Sequence, residues 1–228
     1  MKKLYTWFAV IGFGSVAASL MVGFRHDPAA PAINYLFNAG LFLAYMIVHY
    51  VMMTPGFKKL VASNPAGSAA ERRLYMVVAI ASWVAVYLIH FPMPGPALAL
   101  PGWVMFLGGC AFMMSFLAFT EGTTFEGIRA FAGVPGHEQT HGASAEAPLQ
   151  TEGSYASVRH PMYRGACYMG LTSLLLHPNA AQLAWAGIMG LTFLTFIPIE
   201  EKQLLKGRGD EYREYMKQTP YRIFRGVW

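Results

Sequence analysis

Long apolar runs with few charges alternate with short polar segments along the chain. The runs cover residues 4–24, 31–53, 74–91, 98–119, about 160–176 and 180–199. Most of them are close to the ~20 residues that an α-helix needs to cross about 30 Å of hydrocarbon. The pattern therefore predicts an all-α polytopic membrane protein with about six transmembrane helices.

Composition and charge agree with this prediction and add an orientation. Of the 228 residues, 55% are hydrophobic and only 13% are charged, and the mean hydropathy is +0.36. With a cytoplasmic amino terminus, six crossings would place every Lys and Arg except Arg25 on the cytoplasmic side, as the positive-inside rule requires. We therefore expect both termini in the cytoplasm and a location in the cell inner or plasma membrane. Because topology alone accounts for the basic residues, we expect no nucleic-acid binding.

The predicted helices form one integrated membrane domain in three parts. Residues 1–119 are an N-terminal four-helix membrane region, 120–158 are a cytoplasmic loop, and 159–228 are a helical hairpin followed by a short cytoplasmic C-terminal helix. Only HPNAAQ joins the fifth and sixth runs, so these must form an antiparallel hairpin. We expect the chain to break at Gly207 and Gly209, with Asp210 as the N-cap of the last helix.

The polar loop contains one pattern that is typical of metal sites. His137, Glu138 and His141 spell HExxH, in which two histidines one helical turn apart hold zinc and the glutamate activates water. A Pro-Gly pair directly before the motif and a glycine directly after it leave about one turn of helix. We therefore favour a solvated loop and expect no resident metal, with an adventitious surface metal site and then a zinc protease as the alternatives.

Three histidines lie in or beside the apolar runs. His90 and His177 stand next to prolines at the outer helix ends, where hydrogen bonds to helix carbonyls explain them. His49 lies about one turn from the cytoplasmic end of the second run, so both a core role and a functional role remain open for it. Cys110 and Cys167 lie inside apolar runs, where we expect packing and no disulfide.

Charged and hydrogen-bonding residues concentrate at the cytoplasmic end of the predicted hairpin. They are Arg159, His160, Tyr163 and Gly165 at the start of one helix, and Glu200 and Glu201 at the end of the other. N–H groups at a helix start and two basic side chains suit a carboxylate, whereas the glutamates suit a positive sulfonium. A glycine allows a ligand to approach the backbone closely. These residues predict a pocket for a zwitterionic ligand, open to the cytosol.

The same residues carry a resemblance to a known family. GSYASVRHPMYRG, followed after a hydrophobic hairpin by EEKQLL and YREYMKQTPYRIF, resembles the membrane methyltransferases typified by isoprenylcysteine carboxyl methyltransferase, whose pattern is RHPxYxG followed by EExxL. This resemblance covers about residues 153–224. In the amino-terminal half, HYVMMTPGFKK and ERRLY are similar to the nurim and methanethiol S-methyltransferase branch, which has a six-span layout.

The resemblance implies a methyl donor, S-adenosylmethionine, bound between the last hairpin and the carboxy-terminal helix. Carried over residue by residue, it assigns donor binding to Arg159, His160, Tyr163, Gly165, Glu200, Glu201, Tyr212 and Arg222. The candidate catalytic residues are His49 and Glu201. The implied reaction methylates a small or lipophilic nucleophile, above all a thiol, that enters from the lipid bilayer. The alternative is a catalytically silent, nurim-like subunit that packs in a larger membrane complex.

Overall fold

Helices make up the regular structure of the part of the chain that the structure describes. In this computed structural model the described residues are 2–54, 56–57, 60, 69–121 and 149–228. Among them are seven α-helices and no β-strand: α1 (Lys2–Val22), α2 (Ile33–Met53), α3 (Ala69–Ile89), α4 (Gly102–Glu121), α5 (Pro161–Leu176), α6 (Ala180–Arg208) and α7 (Asp210–Gln218). One turn of 3-10 helix, Gly153–Ala156, precedes α5. The predicted all-α class is confirmed for these residues.

Three of the described helices are long and apolar enough to cross a membrane. Their spans are Ile33–Met52, Gly102–Thr120 and Ala180–Arg208. Helix α3 carries a shorter apolar stretch, Arg73–Ile89. With 16 residues, α5 is about 24 Å long at 1.5 Å per residue, less than the ~30 Å of a bilayer core. The apolar helices indicate an integral membrane protein, and the count of six spans stays a prediction.

Large apolar side chains cover the outer surfaces of these helices. Leu36 of α2, Phe106 of α4 and Leu191 of α6 are 66%, 70% and 62% exposed. A water-soluble protein rarely exposes contiguous apolar surface on this scale, whereas lipid is the favourable solvent for it. The helix surfaces therefore agree with placement in a bilayer.

An aromatic cluster joins the amino-terminal helices to α6. Phe24, which follows α1, stacks on Trp185 of α6 with ring centroids 4.4 Å apart. Phe42 of α2 and Trp83 of α3 meet the same indole edge-on at 5.8 and 6.3 Å. Edge-to-face and offset pairs of this kind add about 0.5–1.5 kcal/mol each beyond the area that they bury. The cluster therefore holds α1, α2 and α3 against the carboxy-terminal hairpin.

The two histidines predicted to lie at the outer helix ends bind the main chain. His90 Nε2 accepts a hydrogen bond from the Arg25 backbone N–H at 2.8 Å, and its Nδ1 contacts the Tyr87 carbonyl. His177 Nε2 lies 2.8 Å from the Met21 carbonyl oxygen. Both imidazoles therefore satisfy backbone groups, in agreement with the structural role expected for them.

The break between α6 and α7 falls at a single glycine. Helix α6 runs through Gly207 to Arg208, and the Gly209 N–H still donates to the Leu205 carbonyl at 3.0 Å. Gly209 then adopts a φ of 55°, a conformation that favours glycine. Asp210 is the first residue of α7 and not its cap. The predicted break at Gly207 was therefore wrong, because one glycine with positive φ is sufficient to end the helix.

Candidate functional site

The start of α5 and the end of α6 lie at the same end of the hairpin. Pro161 opens α5 at the first helical position, where its missing N–H leaves no hydrogen bond unmade. Arg159 and His160 lie directly before it, and their N–H groups donate to the carbonyls of Tyr221 and Arg222, both at 2.9 Å. These two hydrogen bonds fold the segment after α7 back against the hairpin.

Glu201 is the centre of a buried ion-pair cluster. Its Oε1 accepts from Arg159 Nε at 2.7 Å, and its Oε2 accepts from Arg222 Nε at 2.8 Å. His160 Nε2 lies 3.3 Å from Oε1. The side chains of Glu201 and Arg159 are each 4% exposed, whereas that of Arg222 is 29% exposed. Because guanidinium groups stay protonated in proteins, both carboxylate oxygens face permanent positive charge.

Arg159 extends this cluster to the main chain. Its Nη1 donates to the carbonyls of Thr219 at 2.8 Å and Pro220 at 2.7 Å. Both carbonyls belong to the turn that follows α7, and Thr219 is itself buried. A single side chain thus connects the start of α5, the end of α6 and the carboxy-terminal segment. The Arg159–Glu201 pair acts as the structural tie of the site.

Glu200 faces a more open region beside a stack of three rings. Tyr163 Oη donates to Glu200 Oε2 at 2.9 Å, and His160 Nδ1 lies 3.6 Å from the same oxygen. The Tyr163 ring stacks between His160, at 5.5 Å, and Phe193 of α6, at 4.7 Å. The Glu200 side chain is 38% exposed. A ligand can therefore reach this carboxylate, in contrast to the buried Glu201.

Tyrosines of α7 close the site from the carboxy-terminal side. Tyr212 and Tyr215 are buried, and Tyr215 Oη donates to the Tyr155 carbonyl at 2.8 Å. Burial, followed by the Glu201 charge, raises the pKa of Tyr212, and burial also raises the pKa of Tyr215. Burial and the Glu200 charge raise the pKa of Tyr155 to about 12. All three phenols are therefore neutral at physiological pH.

Gly165 packs against a neighbouring helix. A Cβ at this position would lie 2.3 Å from Phe119 Cα and 2.4 Å from Phe119 N in α4. These are backbone atoms, which cannot move aside as the end of a flexible side chain can. The glycine therefore allows α4 and α5 to approach closely, and direct contact of Gly165 with a ligand stays a prediction.

His49 connects to the hairpin through one tyrosine. Its Nδ1 lies 2.9 Å from the Tyr45 carbonyl, and its ring packs 4.1 Å from the Tyr45 ring. Tyr75 of α3 meets the imidazole edge-on at 5.7 Å. Tyr75 also interacts electrostatically with Glu200 and with Tyr163. The ring contact joins Tyr75 to His49, whereas its relation to Glu200 is electrostatic.

Most of the site residues predicted from sequence come together in one cluster. The structure joins Arg159, His160, Tyr163, Glu200, Glu201 and Arg222, with Tyr212 buried close behind them. The sequence analysis did not identify Phe193 and Tyr75. Phe193 precedes Glu200 by seven residues, or two helical turns, so helical spacing could have placed both on one face. Tyr75 is the last residue of ERRLY, a stretch that carried the resemblance in the amino-terminal half without giving this tyrosine a role.

A metal centre is not part of this arrangement. Among the residues that the structure describes, no group of three or more His, Cys, Asp or Glu side chains could hold a metal ion. The HExxH motif at residues 137–141 lies outside the described residues. Cys110 and Cys167 are both unpaired thiols, as the sequence predicted.

Comparison with known proteins finds a partial relative. Over 73 residues the chain is 37% identical to the protein-S-isoprenylcysteine O-methyltransferase of Schizosaccharomyces pombe. The match covers 32% of this chain and 31% of that enzyme, so the chain spans about a third of the relative's length. No family model matches the chain. The similarity supports the predicted isoprenylcysteine methyltransferase family, while the nurim and methanethiol S-methyltransferase branch stays a prediction.

Proposed function

We propose that this chain is a membrane methyltransferase that takes a methyl group from S-adenosylmethionine and delivers it to a small or lipophilic thiol. The observation that carries the proposal is the cluster around Glu200 and Glu201, which forms on the residues that match RHPxYxG and EExxL. Partial similarity to a methyltransferase supports the same reaction class. We place this end of the hairpin and both termini in the cytoplasm, in the cell inner or plasma membrane, because the basic residues follow the positive-inside rule.

The chemical groups at the site fit such a donor. The carboxylate of S-adenosylmethionine suits Arg222. The Nε–H of Arg222 donates to Glu201, and because a guanidinium has five N–H donors in all, this bond does not use them up. Its ammonium and sulfonium charges suit the exposed carboxylate of Glu200. The stacked rings of His160, Tyr163 and Phe193 offer an aromatic surface for a purine. These side chains are therefore complementary in charge to a zwitterionic sulfonium nucleoside.

The site residues divide into a binding group and a positioning group. When bound, the donor supplies an electrophilic methyl group. Glu200 and Arg222 bind and orient the donor, since both are partly exposed. Glu201 and Arg159 fix the helix ends and the carboxy-terminal segment in one geometry, and fixed geometry is the main source of rate in an in-line displacement. We assign Glu201 a positioning role, because both of its oxygens are engaged by arginines.

The acceptor reaches the site from the bilayer in this proposal. A thiol reacts as its thiolate, so it must lose a proton before it attacks, and His49 is the candidate proton acceptor. The exposed apolar faces of the described helices suit a lipophilic acceptor that partitions into lipid. The competing proposal, a silent subunit of a larger membrane complex, requires no donor binding, which separates the two.

Calorimetric binding of S-adenosylhomocysteine and S-adenosylmethionine to the detergent-purified full chain tests the function. We expect saturable binding with one site per chain. Glu200→Gln and Arg222→Gln should each weaken it about tenfold or more, the effect of losing one charge-assisted hydrogen bond. Glu214→Gln is the matched control, because this carboxylate lies on the exposed face of α7 and pairs with Lys217. Absence of binding in folded protein would favour the silent subunit.

A further inference from the structure

We infer that Trp228 is a positioning residue for donor binding, whose indole holds the Arg222 guanidinium in the orientation that receives the donor carboxylate. The inference rests on the proposed function and adds a residue to which that function gives no role. It follows from the cation–π contact between these two side chains, from the loop that makes this contact, and from the difference between Arg222 and Arg159.

Arg222 is the accessible arginine of the Glu201 cluster. Both arginines donate to Glu201 through Nε, Arg159 at 2.7 Å and Arg222 at 2.8 Å. Arg159 also donates through Nη1 to two main-chain carbonyls, and its side chain is 4% exposed. Within the described part of the chain, the Arg222 guanidinium makes its hydrogen bond through Nε, and 29% of this side chain is exposed. The Nη groups of Arg222 are therefore the donors of this cluster that a ligand can use.

The contact with Trp228 limits how the Arg222 guanidinium can rotate. A side chain that is held by one hydrogen bond at Nε keeps some rotational freedom, so its Nη donors would point in a range of directions. Arg222 Cζ lies over the Trp228 ring, 4.9 Å from the ring centroid. A cation over an aromatic face is attracted by the ring quadrupole, and tryptophan gives the strongest attraction. Glu201 and Trp228 thus fix the guanidinium while its Nη groups stay available.

The loop of residues 222–228 holds the indole in place. The N–H groups of residues 222, 223 and 224 donate to the Trp228 carbonyl at 2.9, 3.1 and 3.3 Å, and the Trp228 N–H donates to the Phe224 carbonyl at 3.1 Å. Gly226 reverses the chain within this loop with a φ of 82°, a conformation that favours glycine. The His160 N–H donates to the Arg222 carbonyl at 2.9 Å, which joins the loop to the start of α5. Main-chain hydrogen bonds therefore bring the two side chains together.

The expected effect of Trp228 is confined to one part of the ligand. A guanidinium that is already oriented binds a carboxylate more tightly, because less side-chain freedom is lost on binding. S-adenosylhomocysteine carries the amino acid group with this carboxylate. The related nucleoside 5′-methylthioadenosine has the same adenosine and a thioether sulfur but no amino acid group. Trp228 should therefore matter for binding of the first compound and not for binding of the second.

Calorimetry with these two nucleosides on the detergent-purified full chain tests the inference. Trp228→Leu removes the ring and keeps an apolar side chain. We expect it to weaken binding of S-adenosylhomocysteine about 3- to 10-fold, the effect of one cation–π contact, and to leave binding of 5′-methylthioadenosine unchanged. Trp228→Phe keeps an aromatic face and should recover most of the loss. Phe224→Leu is the matched control, because the Phe224 ring belongs to the same loop but contacts Tyr168, at 5.7 Å, and should match the wild type with both nucleosides.

A double-mutant cycle separates an action through Arg222 from a general effect on the loop. In Arg222→Gln the guanidinium is absent, so adding Trp228→Leu should cause no further loss of affinity for S-adenosylhomocysteine. Equal weakening of both nucleosides in Trp228→Leu, or additive losses in the cycle, would overturn the inference. So would unchanged or tighter binding of S-adenosylhomocysteine by Trp228→Leu, and tighter binding would mean that the indole blocks the site. Failure of the wild type to bind S-adenosylhomocysteine would instead refute the proposed function itself.

Discussion

Replacing Glu201 by glutamine tests whether the buried ion pair holds the site together. Glutamine keeps the shape and one acceptor oxygen, but its NH₂ group would face one of the two guanidiniums that now bond the carboxylate. Arg159 would then lose its countercharge at a position where the side chain is 4% exposed. Removing one partner of a buried pair costs about 3–5 kcal/mol, because the remaining charge is left uncompensated. We expect the free energy of unfolding to fall by about this amount.

Glu200→Gln is the matched control for this perturbation. The two glutamates are adjacent, but the Glu200 side chain is 38% exposed and accepts a hydrogen bond from the neutral Tyr163 hydroxyl. Solvent screens a partly exposed carboxylate, so its replacement should cost about 1 kcal/mol or less. The same chemical change at neighbouring positions should therefore differ in cost by several-fold.

Equilibrium unfolding by SDS titration in mixed micelles, followed by far-UV circular dichroism, measures both variants. A double-mutant cycle with Arg222→Gln should return a coupling energy of about 1–3 kcal/mol, as for residues of one salt-bridge network. If Glu201→Gln were no more destabilising than Glu200→Gln, or if the cycle were additive, Glu201 would not be the structural tie of the site.

Two further predictions concern helix packing and alkaline stability. A methyl group at Gly165 would lie 2.3 Å from Phe119 Cα, so Gly165→Ala should lose about 1–3 kcal/mol in the same titration. Gly187→Ala, where a Cβ meets nothing within 4 Å, should be neutral or stabilising, and equal costs would contradict this packing. Burial and the Glu200 charge raise the pKa of Tyr155 from 10.0 to about 12, so its contribution to stability should be intact below pH 10 and lost as the pH rises towards 12. Tyr155→Phe should reduce the slope of stability against pH in that window, and an unchanged slope would refute the assignment.

The sequence predicts helices well because the hydrocarbon core sets their length. The apolar run at 31–53 corresponds to α2 (Ile33–Met53), and the run at 98–119 overlaps α4 (Gly102–Glu121). The short connection HPNAAQ likewise required an antiparallel hairpin, which brings Arg159 and Glu201 together although they are 42 residues apart. Length and connectivity are thus the parts of this fold that local sequence determines.

Contacts between distant segments were beyond the reach of such patterns. The backbone pairing of residues 159 and 160 with residues 221 and 222 depends on how the turn after α7 folds back, and no periodicity predicts it. The contact of Tyr75 with His49 similarly depends on the packing of α3 against α2. Gly165 illustrates a related difficulty. From the sequence alone, a glycine beside a predicted pocket is equally consistent with close approach of a ligand and with close packing of two helices.

The adjacent glutamates show why a motif alone cannot assign roles. Consecutive residues of an α-helix differ in direction by about 100°, so two neighbouring side chains meet different environments. The end of α6 directs Glu201 towards Arg159 and Arg222, and Glu200 towards Tyr163 and open space. The sequence alone does not say which of the two glutamates is buried and which is exposed. Because two arginines bind both oxygens of the buried Glu201, the exposed carboxylate of Glu200 is the one available to a positive ligand. Another group must then accept the proton. His49, whose Nδ1 bonds the Tyr45 carbonyl, is the group to which the proposed function assigns that task.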